Sequence, residues 1–295
     1  MARWDRRLPL LLLLALAACS PAASGGAGPI VVPPPPTPTA EPTPLAITPS
    51  KTHVHAIALM PGGGWLVGTH TGVALAALGA SPRPLGTGPR GDVLQVAMSG
   101  TAMLAAGHLL GVQVSRDRGA TWTAVAPEVA GLDVHGLAVD PTDPRTVFAY
   151  AVGRGMLVSH DAGAHWTHLA GDADRSDFYL TGLAVTADGT LLAGSPQLGL
   201  AASTDRGAHF VSVYQGTGRV YSVAASATDP NIVFVAGDQG IFITQDGGKN
   251  WSAGQTSDVI TGVGIDPADA RHLLAGGSDG ALFESHNGGD SWSLY

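Results

Sequence analysis

One eight-residue turn motif recurs five times in this 295-residue chain, with Ser or Thr first, Asp or Asn third, Gly fifth and an aromatic residue eighth. The copies are SRDRGATW from Ser115, SHDAGAHW from Ser159, STDRGAHF from Ser203, TQDGGKNW from Thr244 and SHNGGDSW from Ser285. Their third positions are spaced by 44, 44, 41 and 41 residues. A fixed period of this length with strand-turn-strand chemistry indicates one small β-sheet per repeat. The repeat therefore predicts an all-β fold, a β-propeller in which each repeat is one blade.

The chemistry of the motif explains its form. An Asp side chain can accept hydrogen bonds from backbone N–H groups one or two residues on, and the Ser or Thr hydroxyl can satisfy another. Glycine takes a positive φ that other residues resist. The aromatic residue starts the next strand, where its ring can pack beneath the turn. Phe210 and Asn287 replace the usual Trp and Asp but keep these roles, so the motif is expected to be structural.

These motifs resemble the Asp box, or bacterial neuraminidase repeat, of sialidase-type propellers. The resemblance covers roughly residues 50–295. The chain is also similar to photosystem II assembly and stability factor propellers, which share such repeats and act as binding scaffolds. In these families the box lies at the blade periphery, away from the active-site face. The resemblance therefore implies that the acids of the boxes are scaffold residues.

A second repeated element is a short apolar run suited to the innermost strand of a blade. Its copies are HVHAIAL from His53, DVLQVAM from Asp92, DVHGLAV from Asp133, YLTGLAV from Tyr179, VYSVAAS from Val220 and VITGVGI from Val259. Six copies predict six blades, with seven as the alternative. The first blade has TGVALAALGA, from Thr71, in place of a box, and the chain ends in the outer strand of the last blade. The ring closes either by side-chain packing or by an added strand near residues 45–49.

The N-terminus has the pattern of a targeting signal. Three arginines precede an apolar stretch, Leu10–Ala18, that is too short to span a bilayer as a stable helix. It ends in LAAC, which resembles a bacterial lipoprotein lipobox, and Cys19 is the only cysteine in the chain. The expectation is a lipidated Cys19 on the extracytoplasmic side of a membrane in the bacterial cell envelope. The alternative is an ordinary secretory signal with an incidental cysteine.

Composition divides the chain and excludes some partners. Residues 1–18 are predicted to be the lipoprotein signal peptide, residues 19–50 a Pro-rich disordered tether, and residues 51–295 the propeller. The formal net charge is −8, and the propeller segment has no basic cluster. Nucleic acid is therefore excluded as a partner, and the membrane is reached through the lipid on Cys19. An unknown protein, glycan or small ligand remains as the partner, and no cofactor is expected.

The residues do not assemble a sialidase. That activity requires an arginine cluster for the substrate carboxylate, a Tyr–Glu nucleophile pair and an acid/base Asp, and the family's Arg-Ile-Pro segment is absent. Outside the signal segment the glutamates are Glu41, Glu128 and Glu284. Glu41 lies in the tether, and Glu284 directly precedes a box. No catalytic residue is assigned, and a binding scaffold is favoured over the alternative, a sialidase-like exo-glycoside hydrolase with an atypical catalytic pair.

The candidate ligand site is the channel mouth, where the first residues of all inner strands meet. The polar and aromatic residues expected there are His53, His55, Asp92, Asp133, His135, Tyr179, Arg219 and Tyr221. A solvated channel wall is the alternative. His70 and His108 occur later in their blades and are given less weight. Among these residues His53, His55 and His135 are the candidate metal ligands, but non-adjacent blades are expected to hold them too far apart, so a metal-free polar rim is preferred.

Overall fold

The computed structural model describes residues 53–77, 80–216, 218–254 and 259–295. The predicted signal peptide, the tether, the lipidation site Cys19 and the segment 45–49 lie outside the described residues, and the statements about them remain predictions. Within the described residues, no helix has the length and apolar character needed to cross a bilayer.

The described chain forms twenty-four β-strands and one 3-10 turn, η1 (Asp172–Asp174). The strands of the first three sheets are β1 (Val54–Leu59), β2 (Trp65–Thr69), β3 (Gly72–Ala77), β4 (Ala80–Pro84), β5 (Val93–Ser99), β6 (Ala102–Gly107), β7 (Gly111–Ser115), β8 (Thr123–Ala124), β9 (Val134–Val139), β10 (Val147–Ala151), β11 (Gly155–Ser159) and β12 (Thr167–Leu169). Those of the last three are β13 (Thr181–Val185), β14 (Leu191–Ser195), β15 (Gly199–Ser203), β16 (Val211–Tyr214), β17 (Val220–Ala225), β18 (Val233–Gly237), β19 (Gly240–Thr244), β20 (Ser252–Ala253), β21 (Ile260–Ile265), β22 (Leu273–Gly277), β23 (Leu282–Ser285) and β24 (Ser293–Leu294).

Six antiparallel sheets, each made of four consecutive strands, build the molecule. The first strands of successive sheets, β1, β5, β9, β13, β17 and β21, contact one another in turn around a closed ring. They are therefore the innermost strands, as their small apolar side chains predict. The apolar core lies between neighbouring blades, for example where Leu104 and Val114 of the second blade meet Leu157 of the third. The prediction of a six-bladed propeller is confirmed.

The ring closes by packing of β1 against β21 and β22. The Thr261 hydroxyl donates a hydrogen bond to the Val54 carbonyl across this junction. Gly276 makes room for the contact, because a Cβ there would lie 2.3 Å from Cγ1 of Val54. Leu274 and Leu282 share one apolar cluster with Val54. Of the two closures left open by the sequence, side-chain packing is the one that the described residues use.

The box of the third blade shows how the turn is held. The Ser159 hydroxyl donates to Oδ1 of Asp161 over 2.8 Å and accepts from the Gly163 N–H over 2.9 Å. Oδ1 of Asp161 also accepts from the backbone N–H of His165, 2.8 Å away. The Trp166 indole N–H donates to the Gly163 carbonyl over 2.9 Å. The Asp therefore reaches four residues along the chain, which corrects the predicted reach of one or two.

The other boxes repeat this geometry. All five box glycines have φ between 84° and 97°, a region where a side chain is strained. Oδ1 of Asn287 accepts from Ser285 and from the Ser291 N–H, so Asn takes the role of Asp there. The Phe210 ring is 6% exposed and packs in a buried cluster. The polar atoms of the boxes are thus used to hold the turns.

Candidate functional site

Antiparallel pairing brings two sets of residues to the channel mouth. The start of each inner strand lies opposite the end of the second strand of the same blade. In four blades the residue after the second strand donates its backbone N–H to the carbonyl just before the inner strand, over 2.9–3.2 Å: His108 to Asp92, Val152 to Asp133, Asp238 to Arg219 and Ser278 to Val259. The second-to-third-strand turns therefore share the mouth with the inner-strand starts.

A β-bulge at the start of each inner strand changes the direction of one residue per blade. In all six blades the pairing with the second strand skips the second residue of the inner strand: His55, Leu94, His135, Gly182, Tyr221 and Thr261. Bulges bend a strand and redirect the side chain of the extra residue. Four of these six residues, His55, His135, Tyr221 and Thr261, carry polar side chains to the mouth.

The first and second blades together form one three-residue group, His55, His70 and Asp92, which we call the first triad. Nε2 of His55 and Nδ1 of His70 lie 3.2 Å apart. Each of these nitrogens lies 2.9 Å from Oδ1 of Asp92. His53 flanks this group: its ring stacks on His55 with centroids 4.6 Å apart, and its Nδ1 lies 3.2 Å from Nε2 of His70. The predicted pair His53 and His55 does share one face.

The second and third blades form the second triad, His108, Asp133 and His135. Oδ1 of Asp133 lies 2.8 Å from Nδ1 of His108 and 2.9 Å from Nε2 of His135. Those two nitrogens are 3.4 Å apart. The hydroxyl of Tyr179, from the fourth blade, hydrogen-bonds to Nδ1 of His135. Four consecutive blades thus contribute to one continuous polar cluster.

The two triads adjoin through Asp92 and His108. Oδ2 of Asp92 lies 3.6 Å from Nε2 of His108. His55 and His135 stand two blades apart and belong to different triads, and the second blade fills the space between them. Sequence reasoning argued against a metal site because non-adjacent blades lie far apart. Residues of the second blade, Asp92 and His108, fill that space and contact both histidines' triads.

Burial keeps the inner histidines neutral. The side chains of His55 and His135 are 14% and 12% exposed. Desolvation lowers the pKa of His55 to about 4 against the opposing charge of Asp92, and it lowers the pKa values of His53 and His135. Burial and the nearby Asp133 carboxylate raise the pKa of Tyr179 to about 12. A neutral imidazole has one unprotonated ring nitrogen, which can accept a hydrogen bond or act as a metal ligand.

The remaining predicted site residues lie in the fifth blade. The Tyr221 hydroxyl donates to Oδ1 of Asp238 over 2.5 Å, and the backbone N–H of the exposed Arg219 donates to Oδ2 over 3.3 Å. Tyr221 lines a cavity of about 350 Å³ together with residues from both triads, including His55 and His135. Arg219 and Tyr221 thus flank the mouth on the side away from the triads and make their contacts with Asp238.

Sequence reasoning gave too little weight to His70 and His108, although each completes a triad. Both directly follow the second strand of their blades, as Asp238 does in the fifth. That position is opposite the start of the inner strand, so it faces the mouth in any antiparallel blade. A signal was available in the repeat, since this position carries His in the first two blades and Asp in the fifth.

A third histidine group lies next to the last box. Nδ1 of His272 lies 3.2 Å from Asp266, and its Nε2 lies 2.9 Å from Oε1 of Glu284. The other carboxylate oxygen of Glu284 lies 3.3 Å from Nε2 of His286. Burial would lower the pKa of His272, but the hydrogen bonds to the two carboxylates raise it. This group is a hydrogen-bonded network around Glu284, which directly precedes a box. Glu128 is exposed.

Fold and turns together define the class: a six-bladed propeller with Asp-box repeats. A family model described as photosynthesis system II assembly factor YCF48 matches residues 114–295. The match covers more than half of the chain, and the chain belongs to this family.

Solved structures share the fold at low sequence identity. YCF48 from Cyanidioschyzon merolae superposes with a TM-score of 0.52 at 13% identity, covering 85% of this chain and 86% of that one. An ancestral GH74 enzyme gives 0.58 at 15% identity, covering 84% and 39%. The GH74 xyloglucanase from Xanthomonas campestris gives 0.53 at 16%, covering 81% and 45%. The chain therefore spans less than half the length of these GH74 structures. A search of curated proteins found no significant match.

Proposed function

We propose that this protein is a binding scaffold, held on the extracytoplasmic side of a membrane by a lipid on Cys19, whose ligand or partner protein docks at the channel mouth. The observation that carries the proposal is the convergence of polar side chains from four successive blades beside one open cavity of about 350 Å³. Sites of this kind, with a few polar groups converging on a concavity, are where ligands bind.

The mouth is also better suited to a partner than the box end. The polar atoms of the boxes are engaged in their own turns, whereas polar side chains from four blades converge at the mouth beside a cavity. Exposed apolar side chains lie there too, as they do at Val211 and Leu294 on the outer strands. Leu109, directly after His108, is 76% exposed, and Val152 and Val259 are 37% and 39% exposed. Exposed apolar side chains mark surfaces that contact partners, and protein interfaces combine an apolar core with a polar rim. The description of the family as an assembly factor supports a protein partner.

A glycoside hydrolase remains the second candidate, because GH74 enzymes share the fold. Glycoside hydrolysis usually needs a pair of carboxyl groups flanking the scissile bond. Three carboxylates described at the mouth are Asp92, Asp133 and Asp238. One oxygen of Asp92 and one of Asp133 are each held by two histidines, and Asp238 accepts a hydrogen bond from Tyr221. Each of these carboxylates is engaged by neighbouring side chains, which favours binding over a role as acid or nucleophile. Turnover of a chromogenic glycoside that is lost in Asp133→Asn would contradict the scaffold proposal.

Site-specific photocrosslinking in cells tests the docking face. Benzoylphenylalanine at Leu109 reports on the mouth, and the same residue at Val211, which is 62% exposed on β16, is the matched control. A discrete adduct is expected from position 109 and none from position 211. Adducts confined to position 211 would place the partner on the outer strands and refute the proposal.

Lipid anchoring is tested separately, since it rests on the sequence LAAC at residues 16–19. Cys19→Ala is expected to abolish labelling with a palmitate analogue and to block signal processing. Cys19→Ser is a conservative control for the side-chain volume and should behave in the same way. A processed, membrane-bound Cys19→Ala protein would show that the lipobox assignment is wrong.

A further inference from the structure

We propose that the channel mouth binds two divalent transition-metal ions side by side, one in each triad of two histidines and one aspartate. The inference rests on the proposed binding function and names the ligand chemistry of that site. The first ion would be held by His55, His70 and Asp92, and the second by His108, Asp133 and His135.

The spacing of the donor atoms matches metal coordination. Metal–nitrogen and metal–oxygen bonds of about 2.0–2.2 Å place neighbouring ligand atoms about 3.0 Å apart in octahedral sites and about 3.4 Å apart in tetrahedral ones. The three edges of the first triad are 3.2, 2.9 and 2.9 Å. Those of the second are 3.4, 2.8 and 2.9 Å. In both triads the three donor atoms already lie as close together as the atoms of one coordination face.

The rings of each triad have outer partners of the kind that metal-bound histidines use. A ligating imidazole normally places its second nitrogen in a hydrogen bond that fixes the tautomer and the ring orientation. The second nitrogen of His135 faces the Tyr179 hydroxyl, and the second nitrogen of His70 faces Nδ1 of His53 at 3.2 Å. Each triad therefore has one histidine oriented by a neighbour that is not itself in the triad.

Hydrogen bonds within the polar cluster of the mouth do not satisfy all of its ring nitrogens. Nε2 of His53 is buried and has no hydrogen-bond partner among the described residues. Nitrogen also faces nitrogen at 3.2–3.4 Å in both triads. A neutral imidazole has one N–H and one lone pair, so two such rings cannot both donate to one carboxylate oxygen and also bond each other. A cation between the rings accepts a lone pair from each of them and from the carboxylate at once.

The donor set selects the kind of metal. Two imidazoles and one carboxylate suit first-row divalent ions such as Zn²⁺ and Cu²⁺, and thiolate ligands are absent from both triads. His70 and His108 are 49% and 45% exposed, which leaves each ion an entry path and open coordination positions. The third group is different, because both ring nitrogens of His272 face carboxylates, Asp266 and Glu284.

Calorimetric titration of the tag-free protein with Zn²⁺ and with Cu²⁺ tests the inference. The expected result is about two ions per chain at micromolar affinity or tighter, with Cu²⁺ the tighter of the two. His55→Ala and His135→Ala should each reduce the stoichiometry to about one ion. Tyr179→Phe should keep both ions and weaken the second site by about tenfold or more, since it removes an outer partner rather than a ligand.

His165→Ala and His209→Ala are the matched controls, because these exposed histidines also lie beside an aspartate but belong to boxes. Circular dichroism establishes that each variant is folded. Absence of binding in the wild type, or binding that both triad variants leave unchanged, would overturn the inference. The crosslinking experiment at Leu109 separates the two proposals. If position 109 gives an adduct but the protein binds no metal, only the metal sites are refuted. If there is neither an adduct nor metal binding, the proposed function of the channel mouth is refuted as well.

Discussion

The indole of Trp166 offers the sharpest test of the structural role assigned to the boxes. Its ring is 6% exposed and belongs to the apolar cluster between the second and third blades, where Leu104 and Leu157 are also buried. Its N–H donates to the Gly163 carbonyl. The next box, in the fourth blade, supplies a natural substitute, because Phe210 occupies the position equivalent to Trp166 and is equally buried. Trp166→Ala and Trp166→Phe therefore separate the ring from the hydrogen bond.

The two variants should differ several-fold in how much they lower the free energy of unfolding. Trp166→Ala removes a buried aromatic ring and leaves a cavity, which costs about 3–5 kcal/mol of unfolding free energy. Trp166→Phe keeps a ring in place and loses the hydrogen bond to Gly163, worth about 0.5–1.5 kcal/mol. Trp122 is the control, because its indole makes the same hydrogen bond but is only partly buried. Trp122→Ala should cost less than Trp166→Ala.

The free energy of unfolding is measured by equilibrium urea unfolding monitored by circular dichroism, which does not depend on tryptophan fluorescence. The reasoning is refuted if Trp166→Phe costs as much as Trp166→Ala, or if Trp122→Ala costs more than either. It is also refuted if folded Trp166→Ala has lost the metal binding proposed for the mouth, since that would connect the box to the functional site.

Three further predictions follow from the same structure. Asp161→Ala removes three hydrogen bonds within its box and should cost about 1–3 kcal/mol in urea unfolding, with metal stoichiometry unchanged. Gly276→Ala places a Cβ 2.3 Å from Cγ1 of Val54 at the ring closure and should cost about 1–3 kcal/mol in the same assay; an unchanged midpoint would refute the packing account. Burial alone would raise the pKa of Asp205, but hydrogen bonds from His209 lower it to about 2. A depressed pKa adds stability above about pH 4 that is lost as the pH falls towards 2, so unfolding of Asp205→Asn should depend less on pH across that window.

The repeats predicted the propeller fold and six blades, with seven as the alternative, and the structure confirmed six. A period of 41 to 44 residues can be read without any tertiary information, because each blade carries its own turn chemistry. The role of Ser159 and Asp161 in holding a turn follows from the residues themselves, although the four-residue reach of the Asp does not. Local hydrogen bonds depend on local sequence, and sequence reasoning is strongest where structure is local.

The starts of the inner strands were also predicted to meet at one mouth, and His53, His55, Asp92, Asp133 and His135 do lie there. What the sequence left undecided was which of them would touch. Residues separated by 15 to 27 positions, such as His55 with His70 or His108 with His135, come into contact only when strands pair and blades pack.

Tertiary structure therefore decided the composition of the two triads and the closure of the ring. His70 and His108 reach the mouth because antiparallel pairing sets the end of the second strand beside the start of the first. Asp92 joins the first triad because the second blade packs against the first. The ring closes with β1 against β21 and β22, where Gly276 of β22 has no side chain in the space that Val54 fills. Distances between blades depend on the whole ring, and no single repeat contains that information.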